Sequence, residues 1–160
     1  MGIDDTSTQP TPVVTSFLLR RGPDGDRVLL LRRSGRVRTY QGAWAGVSGY
    51  LEPGVTPLEQ AYTEIREETG IPRAAVRLLR AGEPLEFRDE SLGQAWRVYP
   101  FLFALDEAAQ IATDWETTEH SWAAPEELAA GTIATVPRLA EALALVYPPL
   151  PPDPEPSRGA

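Results

Sequence analysis

The sequence predicts an α/β protein, an α/β/α sandwich around a mixed β-sheet, and three observations carry that expectation. Short β-prone runs alternate with helical patterns along the chain. Residues 49–71 form a glycine loop feeding a helix with stop signals at both ends. Apolar residues make up 42% of the 160-residue chain, with four Trp, five Tyr and four Phe, enough for the core of one domain.

Residues 1–12, rich in Asp, Thr, Ser and Pro, read as a disordered tail, and residues 13–147 as the folded domain. Residues 148–160, with six prolines, read as a proline-rich disordered tail. Residues 13–19 and 28–31 are β-prone and flank the turn chemistry of Pro23-Asp24-Gly25-Asp26, which predicts a hairpin. Residues 42–49 read as one short strand entering the glycine loop.

Thr56-Pro57-Leu58-Glu59 has the form of a capping box with proline at the first helical position. Gly70 supplies a left-handed stop and Pro72 prevents continuation. Further strands are expected at residues 76–81, 85–88 and 96–105 and near 120–123. Residues 125–130 start a helix that Gly131 ends, and residues 137–147 read as a last amphipathic helix.

On the first of these helices Glu64, Glu67 and Glu68 stand at i, i+3 and i+4. At about 100° per residue they share a sector of roughly 100°. Leu58, Ala61, Tyr62 and Ile65 make an apolar stripe that packs inward, which leaves the glutamates looking outward. Like charges so crowded destabilise a helix by a few tenths of a kcal/mol per pair, as on any solvated acidic face. Hard oxygen donors on one rigid surface also suit Mg²⁺ or Mn²⁺.

The segment from Gly49 to Ile71 resembles the Nudix box, G-x5-E-x7-R-E-U-x-E-E-x-G-U, where U is a bulky aliphatic residue. Gly49, Glu64, Ile65, Glu67, Glu68, Gly70 and Ile71 stand at the pattern's positions, and weaker features extend the likeness over residues 13–145. The resemblance implies a Nudix-type sandwich with a divalent cation, Mg²⁺ or Mn²⁺, held by Glu64, Glu67 and Glu68. It implies metal-dependent hydrolysis of a pyrophosphate linkage in a nucleoside diphosphate joined to another moiety X, or in a nucleoside triphosphate, with one of these glutamates as general base. Similar family members often take a further metal ligand from an acid about six residues before a tryptophan; here that tryptophan is Trp122, which selects Glu116, with Glu119 as the fallback and a solvated acidic loop as the plainer alternative.

Val55 and Thr63 stand where the family has a glutamate and an arginine that commonly pair, holding the loop to the helix. Losing both leaves no stranded charge, whereas losing one would. The altered pair motivates a second reading, a catalytically weak or inactive module that binds or senses a nucleotide. A third is an acidic interaction domain in which the box is scaffold only. The stretch from Arg32 through Gly54 also resembles, more weakly, Nudix modules attached to translation initiation factor 2B-like proteins.

Arg32, Arg33, Arg36 and Arg38 crowd the approach to Tyr40 and Trp44. Arginine suits bidentate phosphate contact and aromatic rings stack on bases, so Arg33, Arg38, Tyr40, Trp44 and Gly49 are the substrate-binding candidates. Arg32 and Arg33 end a strand and point to opposite faces, so at most one of them faces the cleft. A solvated basic loop, with Tyr40 and Trp44 in the core, is the plainer alternative. His120, the one histidine, reads as a structural or surface residue.

The net charge of −8 argues against general nucleic-acid binding, since a phosphate backbone would be repelled. The absence of cysteine excludes disulfides, thiol catalysis and cysteine-type zinc sites, and argues against the isopentenyl diphosphate isomerase branch of the same superfamily. No apolar run reaches transmembrane length and no basic-then-apolar leader opens the chain, so the cytoplasm is the expected compartment. The expected partner is a small nucleotide-type molecule, with no nucleic acid and no membrane, and homodimerisation is left open.

Overall fold

A computed structural model describes residues 9–111 and 117–149. Two long strands, β1 (Thr11–Gly22) and β2 (Gly25–Arg33), form the expected hairpin, with Pro23 and Asp24 as its loop and Gly22 opposite Gly25. Strand β1 starts at Thr11, so Thr11 and Pro12, expected in the tail, belong to the sheet. The rest of the two tails lies mostly outside the described residues; Pro148 is placed, and its carbonyl accepts from Arg80 at 3.1 Å.

The chain continues through β3 (Trp44–Ala45), β4 (Val47–Tyr50), α1 (Pro57–Thr69), a single 3-10 turn at Arg73–Ala75, β5 (Val76–Ala81), β6 (Leu85–Asp89) and β7 (Gln94–Leu105). It closes with β8 (Thr117–Ala123), α2 (Pro125–Ala130) and α3 (Leu139–Ala144). The sheet is mixed: β1 runs parallel to β7, and the other pairings are antiparallel. Its spine is β3-β2-β1-β7-β5, with β4 on β1, β6 on β7 and β8 on β2.

Both faces of this sheet are covered, and the strand period of two sorts the side chains between them. Val14 and Leu18 of β1, Leu29 and Leu31 of β2 and Phe101, Phe103 and Leu105 of β7 join Ala61 and Ile65 of α1 in one core. Phe17 and Leu19, Val28 and Leu30, and Leu102 join Leu128 of α2 and Leu139, Ala142 and Leu143 of α3 in the other. The two cores make the three-layer sandwich. Pro100 is accommodated inside β7 because its carbonyl faces the β5–β6 connection, accepting from Gly82 N–H at 3.0 Å. Its missing N–H therefore falls where β5 gives way to β6.

Two elements differ from expectation. Residues 42–49 are not one strand: the chain breaks at Gly46, so that Trp44–Ala45 pairs with β2 and Val47–Tyr50 with β1. A side chain at Gly46 would come within 2.9 Å of the Ser16 carbonyl, so the crossing is close. The last helix covers only Leu139–Ala144, not residues 137–147. Trp44 N–H donates to the Ala134 carbonyl and Val136 N–H to the Trp44 carbonyl, both at 2.9 Å, which commits the preceding segment to the sheet edge. No helix among the described residues is long and apolar enough to cross a membrane.

Candidate active site

Local chemistry fixes α1 at both ends. Thr56 Oγ1 accepts from Glu59 N–H at 3.2 Å, half of the expected capping box, a cap that contributes about 1 kcal/mol. The Glu59 carboxylate lies 3.9 Å from the Arg73 guanidinium. Gly70 closes the helix in the left-handed region at φ 74°, its N–H donating to the Arg66 carbonyl.

The three glutamates do not all look outward. Glu67 is exposed and Glu64 half-buried, but Glu68 is 7% exposed. The helical period explains this: Glu68 follows Ala61 by seven residues, a net rotation of about 20°, and Ala61 is fully buried. Glu68 lines a small cavity with Leu31, Arg33, Val37, Ala45, Gly46 and Ser48.

Glu64 is seated against β4. A side chain at Gly49 would overlap its carboxylate, so glycine is required there for space. The same carboxylate accepts through Oε2 from Gln60 Nε2 at 2.9 Å, and Gln60 Oε1 accepts from the Glu52 N–H at 3.1 Å. Thr63 turns its hydroxyl back onto its own helix, donating to the Glu59 carbonyl at 3.1 Å.

Beside this cavity lies a larger, mostly apolar cleft of ≈ 110 Å³. Its aromatic wall is Tyr40, Tyr50, Phe87 and Trp96, and its cationic groups are Arg33 and Arg138. Arg33, Ala45 and Ser48 line both spaces, so one arginine stands between Glu68 and the aromatic wall. Tyr50, half-exposed, and Tyr40 each lie 6.3 Å from the Trp96 ring.

Trp96 Nε1 donates to the Tyr40 hydroxyl at 3.0 Å, and that hydroxyl donates to Asp89 Oδ2 at 2.6 Å. Burial, then the bond to Asp89, pushes the Tyr40 pKa up to about 12, so Tyr40 holds its proton and is no general base. Hydrogen bonds from Ser91 and from Tyr40 hold the Asp89 carboxyl below the usual range. Among the described residues, the non-glycine residues with a left-handed backbone are Tyr40, at φ 52°, and Arg138, at φ 63°. Both line the cleft. Such backbones cost of order 1–3 kcal/mol and gather at functional sites.

Of the sequence candidates, the fold therefore brings Arg33, Tyr40 and Gly49 to the cleft. Arg33 is the one of its pair that faces inward, holding the Thr39 carbonyl at 2.9 Å, whereas Arg32 pairs outside with Glu119 at 2.9 Å. Arg38 is exposed and does not line the cleft. Trp44 packs on the core beneath α2 and α3. Glu116 lies outside the described residues; Glu119 is exposed in its pair with Arg32, and His120 is exposed on β8.

Sequence reasoning missed Trp96, Tyr50, Asp89, Arg138 and Gln60. Only Gln60 carried a local signal, being four residues before Glu64 on the same helix face.

Carboxylates seated against a glycine and beside an inward arginine fit a hard divalent cation in donor chemistry. Among the described residues no three acidic or histidine side chains form a ready-made cage. Mg²⁺ is commonly held in this open way, by one or two carboxylates plus substrate phosphates.

The family model described as the NUDIX domain matches residues 10–145. Solved structures with the same fold include a Caenorhabditis elegans Ap4A hydrolase in a binary complex, at TM-score 0.69 and 20% identity, covering 84% of this chain and 93% of that one. A MutT protein from Methanosarcina mazei Go1 matches at TM-score 0.64 and 24% identity, covering 86% and 93%. The Escherichia coli dihydroneopterin triphosphate pyrophosphohydrolase matches at TM-score 0.66 and 22% identity, covering 82% and 91%.

Proposed function

Because this chain belongs to the Nudix family of pyrophosphohydrolases, we propose that it cleaves the pyrophosphate linkage of a nucleoside diphosphate joined to another moiety, or of a nucleoside triphosphate, with Mg²⁺ or Mn²⁺. The observation that carries this reading is the shared wall of the two cavities. Arg33, Ala45 and Ser48 stand between the buried Glu68 and the aromatic cleft, so phosphates and a planar base can be held at once.

Glu64, Glu67 and Glu68 would hold the cation, with Glu116 as a further donor. When bound, such an ion polarises a phosphoryl oxygen and lowers the pKa of a bound water. One of the three helix glutamates accepts the proton of the attacking water. Arg33 offers its guanidinium to phosphate oxygens and partly neutralises the leaving group. Tyr50, half-exposed, offers a ring on which a base stacks, and Trp96, buried beside it, is held at its edge by the Tyr40–Asp89 bond.

The substitutions Val55 and Thr63 favour a second reading, a module that binds the nucleotide without turnover. Incubation with nucleotide sugars, ADP-ribose, dinucleoside polyphosphates and nucleoside triphosphates, with Mg²⁺ and with Mn²⁺, separates the two. Hydrolysis of at least one compound is expected. Tight binding without turnover across the whole panel establishes the sensing module instead.

A further inference from the structure

Gln60 is 2% exposed and lies on the face of α1 that carries Glu64. Both ends of its amide are engaged: Oε1 accepts from the backbone N–H of Glu52, and Nε2 donates to Glu64 Oε2. A donor on one side and a carboxylate oxygen on the other require a group that accepts and donates in a fixed direction, which an amide does and a carboxylate or hydrocarbon does not. The neighbours thus set which way this amide faces.

We propose that Gln60 is a positioning residue for Glu64 and the strut tying the loop at residues 51–56 to α1. It does the work that the family resemblance assigns to a Glu–Arg pair at positions 55 and 63. In this chain those positions cannot pair, because Val55 is apolar and the Thr63 hydroxyl is turned to the Glu59 carbonyl. The role rests on the reading of Glu64 as a metal-holding residue. It explains how a box without the acid–arginine pair keeps its first glutamate oriented.

The test compares wild type, Gln60→Met, Val55→Glu/Thr63→Arg and the triple variant, each checked for a cooperative thermal transition. Mn²⁺ affinity is read by calorimetry, and exchange of the Glu52 amide by NMR. Gln60→Met, similar in length but without hydrogen bonds, is expected to weaken Mn²⁺ binding by about tenfold or more and to speed Glu52 exchange. The triple variant is expected to regain Mn²⁺ affinity, whereas Val55→Glu/Thr63→Arg in the wild-type background changes it by less than about threefold, since the task is already done.

Unchanged Mn²⁺ affinity in folded Gln60→Met overturns the proposal. So does a tenfold or larger gain from the pair in wild type, an outcome that reads the role even if Gln60→Met does not fold. Wild type that binds no Mn²⁺ sinks the metal reading and this role with it. Wild type that binds Mn²⁺ but hydrolyses nothing sinks only the hydrolytic reading, and the strut is still measured through the ion.

Discussion

The carboxylate of Glu64 occupies the space that a side chain at Gly49 would need. The glycine is therefore required by an approach between β4 and α1, not by a turn. Gly49→Ala must push Glu64 aside, and a misplacement of about 1 Å near a reacting centre can cost on the order of a hundredfold. The expected outcome is a loss of roughly that size in kcat with a folded protein, read by steady-state kinetics beside thermal unfolding.

Tyr50 is 51% exposed beside Trp96, so removing its ring disturbs little of the core. A base stacked there contributes about 1–3 kcal/mol. Tyr50→Ala is expected to raise KM by roughly tenfold or more and leave kcat nearly unchanged. A fall in kcat with unchanged KM would place the base elsewhere.

The helix that bears the acids was legible because its signals are local: Thr56, Pro57 and Gly70 act within a few residues of themselves. Its orientation was legible only in part. The stripe Leu58, Ala61, Tyr62 and Ile65 packs inward as its spacing predicts, but Glu68, one heptad after Ala61, shares the rotation of a fully buried residue and is buried where its charge alone predicts solvent. Trp96, Tyr40 and Asp89 meet across separations of 56 and 49 residues, set by where β7 and β6 register and by a left-handed Tyr40. Composition says nothing about such meetings. The split of residues 42–49 likewise depends on two different partner strands, β2 and β1, which no local pattern specifies.

The Tyr40 hydroxyl carries a pKa raised from 10.0 to about 12, chiefly by burial and by its bond to Asp89. A folded-state pKa above the unfolded one means its contribution to stability is complete below pH 10 and is lost as pH rises through about 12. Asp89 has the opposite sign: its lowered pKa contributes above the usual carboxylate range and is lost as pH falls through the folded value. Ultraviolet titration of tyrosinate is expected to show late-ionising groups, one of which disappears in Tyr40→Phe. Ionisation of Tyr40 with the ordinary tyrosines would contradict the hydrogen-bonded arrangement.

Glu119 forms an exposed ion pair with Arg32, of a kind that contributes about 0–1 kcal/mol. Glu119→Gln is expected to change turnover and thermal stability little. Glu116→Gln is expected to lower turnover more than thermal stability. Equal effects on turnover would remove Glu116 from the metal set.

The central claim is that the acids of α1 form a metal site for pyrophosphate hydrolysis and are not general surface acidity. Mn²⁺ calorimetry on Glu67→Gln, Glu68→Gln and Glu59→Gln tests it most directly, since Glu59 shares the helix but faces Arg73. Glu67→Gln and Glu68→Gln are expected to weaken binding by about tenfold or more, while Glu59→Gln leaves it nearly unchanged. Equal, small losses from all three would contradict the account.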